Sequence, residues 1–153
     1  MSFDTLQQEQ ARLARLYQET ADKMRGRRDG VVVTPVEIVD YQIRAIKNQL
    51  ATMGKTLADP DVRIIDPFGG TGIYTARLLQ TSGLTPLQTT ELYHFRLLVL
   101  ELDETAALMA EVNLRTVHRQ LTGVNPVKRV VHRVDTFTLT DEDIDRLFQE
   151  GWE

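Results

Sequence analysis

Between residues 4 and 28 the apolar positions Leu6, Leu13, Leu16, Tyr17 and Met24 recur at helical spacings within a polar stretch, which predicts one amphipathic helix. Asp4 is placed to cap it and Asp29–Gly30 to end it. Its apolar stripe is narrow, so the helix is expected to lie across the main body or against a partner chain. Val31–Val33 is a short apolar segment closed by Thr34–Pro35. A helix is expected from about Pro35 to Met53, because proline suits the first helical position, and it should bury Ile38, Val39, Ile43, Ile46 and Leu50 before Gly54 stops it. Val62–Ile65 then reads as a buried strand, Ile73–Gln80 as a helix and residues 81–95 as a turn-rich loop with a short helix. Leu97–Leu100 is the second apolar strand, followed by a helix from Glu104 to about Leu121 with Ala107, Leu108, Val112, Leu114 and Val117 available for one face. A loop at Gly123–Pro126 leads to a third strand, Arg129–Val134, and Thr140 to Phe148 reads as a helix capped by Thr140 and Asp143.

Strands alternating with helices predict an α/β fold with a parallel sheet and right-handed crossovers. Asp66, Glu101 and Asp135 each fall just past the C-terminal end of a predicted strand, the edge at which open α/β sheets bind ligands. For Asp135 a plain capping role is an equal reading.

Composition narrows the chemistry. The 153 residues carry 18 Lys+Arg against 22 Asp+Glu, a formal charge of −4, which argues against a free-standing, charge-driven nucleic-acid binder. The one dense basic cluster, Lys23, Arg25, Arg27 and Arg28, reads first as a solvated helix end. There is no cysteine, which excludes disulfides, thiolate metal sites and a cysteine nucleophile. No apolar run is long enough for a membrane span and no signal-peptide core opens the chain, so a cytoplasmic location and no membrane partner are expected. His94, His118 and His132 lack metal spacing and read as surface or packing residues, and neither Ser2 nor Ser82 sits at a strand–helix elbow. No metal site is expected.

The sharpest feature is Asp66-Pro67-Phe68-Gly69-Gly70-Thr71-Gly72, between a strand and a helix. Its glycines permit positive φ and close backbone approach to a ligand, where a bare tight turn would need fewer. A phosphate loop is excluded: Gly54-Lys55-Thr56 mimics its end, but the first glycine would fall on Gln49, inside a helix. A dinucleotide fingerprint is weak, because Thr75 stands where its third glycine belongs and Glu101 lies 35 residues beyond Asp66, against the roughly 20 that NAD sites use. S-adenosyl-L-methionine suits the pattern better. Glycines make room for its methionyl end, an acid after the second strand can accept from both ribose hydroxyls, and a polar side chain after the third can reach the adenine amine.

The glycine segment resembles the Asp-Pro-x-x-Gly-x-Gly cofactor motif of amino-methylating DNA methyltransferases. Val33-Thr34-Pro35-Val36-Glu37-Ile38-Val39-Asp40 resembles the Thr-Pro segment preceding that motif in N6-adenine enzymes. Leu100–Asp103 with Asn113-Leu114 is similar to their second-strand signature, and Val134–Phe137 to their third. Their order is that of the gamma group, and the likeness is to the methylase region of single-polypeptide restriction enzymes that also carry a helicase. The segments span about two-thirds of the chain. The resemblance implies a Rossmann-like S-adenosylmethionine-dependent methyltransferase fold over residues 31–153, with residues 1–30 as a helical extension. It implies that Thr34 binds the cofactor's carboxylate, that Asp66, Pro67, Phe68, Gly69, Gly70 and Gly72 hold its methionyl part, that Glu101 holds the ribose and that Asp135 holds the adenine, with Phe137 or Phe68 stacking on it. Each also has a plainer reading: Thr34 as a helix cap, Phe68 and Phe137 as core.

The family's catalytic Asn/Asp/Ser-Pro-Pro-aromatic motif is absent. The prolines stand at 35, 60, 67, 86 and 126, no two adjacent, so no catalytic residue is assigned. The expectation is a cofactor-binding portion, inactive alone, with the sheet in order 3-2-1 and the glycine-loop strand on an open edge. That edge should self-associate, pair with a complementing methylase or restriction subunit, or be covered by residues 4–28. DNA would be met through the complete enzyme, weakly or not at all by this chain. Two other readings remain: a non-catalytic interaction module on a degenerate methyltransferase fold, and a small-molecule methyltransferase, which the Thr-Pro segment disfavours.

Overall fold

A computed structural model describes residues 2–25 and 33–153. The predicted terminator Asp29–Gly30, the residues Val31 and Val32, and the side chains of Met24, Lys23, Arg25, Arg27 and Arg28 lie outside what is described.

Helix α1 covers Phe3–Arg25. It starts one residue ahead of the expected Asp4 cap because Ser2 supplies that function, its Oγ accepting from the Thr5 amide at 3.3 Å. Helix α2 covers Val36–Thr52, with Pro35 in the cap position and no side-chain cap. Pro35 thus stands just outside the helix, its carbonyl accepting from the Ile38 and Val39 amides at 3.0 and 3.1 Å, and Thr34 does not cap α2.

Three short strands form one parallel sheet: β1 (Ile64–Asp66), β2 (Leu97–Leu100) and β3 (Val131–His132), in order β1-β2-β3. Ile64 pairs with Leu97 and Asp66 with Val99, while Val99 pairs with Val131. The order matches the expected 3-2-1 half sheet, with β1 on an edge. β2 and β3 are buried at every position, whereas β1 is only partly buried and exposes Ile65. β3 is shorter than its predicted span Arg129–Val134, and at the start of that span the Arg129 amide donates to the Gly151 carbonyl at 2.8 Å.

Helix α3 (Ile73–Gln80) occupies its predicted span, and α5 (Glu104–Thr122) extends one residue past it. Pro86–Phe95 is a ten-residue helix, α4, held open at its start by a Thr85/Gln88 capping box, where a loop with a short helix was expected. A 3-10 turn at Thr136–Thr138 precedes α6 (Asp141–Gln149), whose Thr140/Asp143 capping box forms as expected.

The main core gathers α2, α3, α4 and α5 against one sheet face around Val39, Ile43, Leu79, Leu92, Val99 and Leu114. On the other face Leu147 and Phe148 of α6 cover Leu98 and Leu100. All three histidines are buried, His94 and His118 with ring centroids 5.5 Å apart beside Tyr93.

Two helix faces differ from expectation. On α2, Ile38 and Ile46 are exposed, and the buried face instead carries Asp40, which takes Arg77 from α3 at 2.8 and 3.0 Å. On α5, Leu108 and Val112 are exposed while Ala106, Ala110 and Asn113 are buried. α1 packs on α2 and α3 and reaches α5, rather than running along β1, and Ile65 on that edge remains 40% exposed.

Candidate functional site

The glycine loop is built from three different requirements. Gly69 must be glycine for space: a Cβ there would stand 2.4 Å from Val99 Cγ1, because its amide donates to the Leu100 carbonyl at 2.8 Å and ties the loop to β2. Gly70 has φ +54° with nothing within 4 Å of a Cβ, so it is needed for conformation while its surroundings are open. Gly72 combines φ +81° with close packing on Ala110 and Leu114 of α5. This explains the small residues on that face of α5.

Glu101, just past β2, reaches back to this loop. Its Oε1 accepts from the Gly70 amide at 2.9 Å and its Oε2 from the Asp103 amide at 2.7 Å. Asp103 in turn caps α5 through the Ala106 amide. Beyond β3, Asp135 Oδ1 accepts from the Phe137 amide at 3.0 Å and caps the 3-10 turn. Thr136 then donates its hydroxyl to the Pro67 carbonyl. The rings of Phe68 and Phe137 come to 5.6 Å and both are largely exposed, so neither belongs to the core. The ends of all three strands are therefore drawn together at one sheet edge.

Asp66 is the anomaly of the site. Its Oδ1 accepts a long 3.3 Å bond from the Phe68 amide, and its Oδ2 is sealed from solvent without a partner. Thr75 Oγ1, from the first turn of α3, is buried beside it, close enough to pull on Asp66 but outside hydrogen-bond geometry. Burial, reinforced by the negative charge of Glu101, pushes the Asp66 carboxyl up to about 6, against weaker pulls from the Phe68 amide and Thr75. A carboxylate held dry beside a second carboxylate is costly unless a cation or donor completes it. Beside β1 a hollow of 300 Å³ is lined by Asp66, Thr75, Phe68 and Ile65 with Ile43 and Ile46 of α2.

Of the residues singled out in the sequence, Asp66, Pro67, Phe68, Gly69, Gly70, Gly72, Glu101, Asp135 and Phe137 thus share this edge. Thr34 is half-buried at the entrance to α2, where the adjacent Val33 amide donates to Gln18 Oε1 of α1 at 2.9 Å. Sequence reasoning missed Thr75 and Asn113 as neighbours of the site. Asn113 donates to the Thr71 carbonyl at 3.0 Å and so holds the glycine loop from α5. The one signal for Thr75 was its position in the first turn after the loop.

No protein-family model matches the sequence, and no curated protein matches it. Solved structures do. A region of the DrdV–DNA complex, determined by cryo-electron microscopy, superposes with a TM-score of 0.75 at 28% identity, over 90% of this chain and 15% of that one. The ATP-dependent Type ISP restriction-modification enzyme LlaBIII, bound to DNA, gives 0.72 at 27% identity, over 92% of this chain and 11% of that one. A nuclease-deletion mutant of the Type ISP restriction-modification enzyme LlaGI, in complex with a DNA substrate mimic, gives 0.67 at 23% identity, over 92% and 13%, a likeness that bears on the fold alone. The chain therefore corresponds to a module spanning 11–15% of much longer proteins, and the likenesses at 27–28% identity relate it to restriction–modification enzymes. Among the described residues no helix is long and apolar enough to cross a membrane.

Proposed function

We propose that this chain is the S-adenosyl-L-methionine-binding portion of an N6-adenine DNA methyltransferase belonging to a restriction–modification enzyme. The observation that carries the reading is the buried Asp66 Oδ2, without a hydrogen-bond partner, at the start of a glycine loop whose Gly70 amide is held by Glu101. A carboxylate in that state suits an ammonium group, which the methionyl end of the cofactor has and a dinucleotide's pyrophosphate lacks. The open space over Gly70 suits a ligand lying against the backbone, which a merely structural turn does not require.

Bound there, the cofactor supplies an electrophilic methyl on a sulfonium. The chain's own residues bind and orient. Asp66 would take the ammonium, Thr34 the carboxylate, Gly69, Gly70 and Gly72 the methionyl stem, and Glu101 the ribose hydroxyls. Asp135 would hold the adenine, with Phe68 or Phe137 available to stack on it. The group that receives the flipped target base lies outside these residues, since they contain no Pro-Pro-aromatic sequence. DNA is accordingly a partner of the whole enzyme, and the relationship to restriction–modification enzymes bound to DNA supports that assignment.

Titration calorimetry with S-adenosylmethionine and S-adenosylhomocysteine tests the reading. Binding is expected, and Glu101→Ala should weaken it by about 1–3 kcal/mol, the scale of a charged hydrogen bond. Silence of the wild-type chain at millimolar ligand would refute it in favour of an interaction module.

A further inference from the structure

α1 turns toward the body a face that is more polar than packing requires. Gln10 is 2% exposed and Tyr17 6%, with only Ala14 buried between them, so little apolar area drives the contact. Instead the face makes hydrogen bonds to distant segments. Gln10 and Asn113 exchange a reciprocal amide pair at 2.7 and 2.8 Å. Asn113 Nδ2 is thereby used twice, once for Gln10 and once for the Thr71 carbonyl in the glycine loop. That carbonyl, an acceptor only, fixes which way the Asn113 amide faces, and the orientation of Gln10 follows. Two turns along, the Tyr17 hydroxyl donates to Asp103 Oδ2 at 3.1 Å, and the Asp103 amide donates to Glu101 Oε2. One turn of helix thus reaches the loop and another reaches the acid.

We infer that α1 is a clasp for the candidate cofactor site, with two positioning residues: Tyr17 sets Glu101 through Asp103, and Gln10 sets the glycine loop through Asn113 and the Thr71 carbonyl. The inference deepens the cofactor reading and rests on it for its functional consequence, but its mechanical part stands on this geometry alone. Losing the Tyr17 hydroxyl removes one restraint from the Asp103 carboxylate, which still accepts from the Ala106 amide, and so loosens Asp103. The Asp103 amide then drifts from Glu101 Oε2, and Glu101 loosens from the Gly70 amide. Losing the Gln10 amide leaves Asn113 free to rotate away from Thr71, and the loop bond from the Gly72 amide to the Gly69 carbonyl, 2.8 Å long, opens more often.

The test uses the full chain as Tyr17→Phe and as Gln10→Met, both of which keep the volume. Amide hydrogen exchange followed by NMR is read as a ratio against Val99, whose amide bonds the Val130 carbonyl at 2.9 Å inside the sheet, so that a general loss of stability cancels. Exchange at Gly70 in Tyr17→Phe and at Gly72 in Gln10→Met should rise about tenfold relative to Val99. Ratios equal to wild type overturn the clasp. Calorimetry adds the functional arm, with S-adenosylhomocysteine and its 2′-deoxy analogue as probes. If Glu101 grips the ribose, Tyr17→Phe should shrink the preference for the parent nucleoside about fivefold, whereas a merely structural role weakens both probes alike. A wild-type chain that binds neither probe would sink the cofactor reading while the exchange ratios still decide the clasp.

Discussion

Asp66→Asn removes a charge and almost nothing else. Burial raises this carboxyl from 3.8 to about 6, so the folded chain disfavours its ionised form by about two pH units, or roughly 3 kcal/mol. For a raised carboxyl the stabilising contribution is full below the unfolded value of 3.8 and is lost as pH rises through about 6. At pH 7 the wild type therefore carries the whole penalty. Asparagine stays neutral, and its amide can donate to the neighbouring Thr75 hydroxyl. The variant should be more stable than wild type by up to about 3 kcal/mol at pH 7, or about 6–12 °C in Tm for a chain of this size.

The same substitution should abolish S-adenosylmethionine binding, because the ammonium loses its counter-charge. In the wild type, binding should weaken as pH falls through about 6, where Asp66 takes up its proton. Calorimetric melts of both proteins from pH 4 to 8 check the first half, with the gain vanishing near pH 4. An Asp66→Asn chain no more stable at pH 7, or more stable by the same margin at every pH, would refute the argument that the fold strains to keep this carboxylate dry for a cation.

Four further outcomes follow from the packing. Gly69→Ala, whose Cβ would press on the stiff and fully buried Val99, should cost about 1–3 kcal/mol in urea denaturation. Gly70→Ala meets open space and should cost only the ~1–2 kcal/mol of its positive φ. Arg77→Met strands Asp40, which burial would push up but which its bonds to Arg77 and Gln7 hold below its ordinary value. The loss should be about 3–5 kcal/mol, largely recovered when Asp40→Leu is added. Along the unpaired edge of β1, wild-type chains should associate with rising concentration in sedimentation, and Ile65→Lys should suppress it. Monomers at every concentration would remove edge pairing from the account.

Where the chain's own neighbours decide a structure, the sequence was readable. β2 begins and ends as its apolar run does, and α6 starts at a Thr–Asp capping pair three residues apart. The glycine loop was legible for the same reason, since its residues are consecutive and glycine has few other reasons to cluster. The sheet order was what the family resemblance implied, since right-handed crossovers leave the order of strands open. Periodicity misjudged the helices where a distant partner sets the buried face. Ile38 and Ile46 look like core on α2, yet the helix turns Asp40 inward because Arg77 arrives from 37 residues away with a matching fork. On α5 the apolar count favours Leu108 and Val112, but the loop at Gly72 approaches so closely that only Ala110 and the edge of Leu114 fit beneath it.

The same distinction separates what the site shows from what holds it. Asp66, Glu101 and Asp135 announce themselves because each ends an apolar strand. Gln10 does not: it is one glutamine among several on a polar helix, and its partner Asn113 lies 103 residues away. Nothing in either neighbourhood marks one for the other. Burial then reverses their importance, because an amide pair that could dissolve into water at the surface has no substitute partner inside. A helix that looked like an accessory from its narrow apolar stripe therefore becomes tied to the glycine loop by the polar residues the stripe ignored.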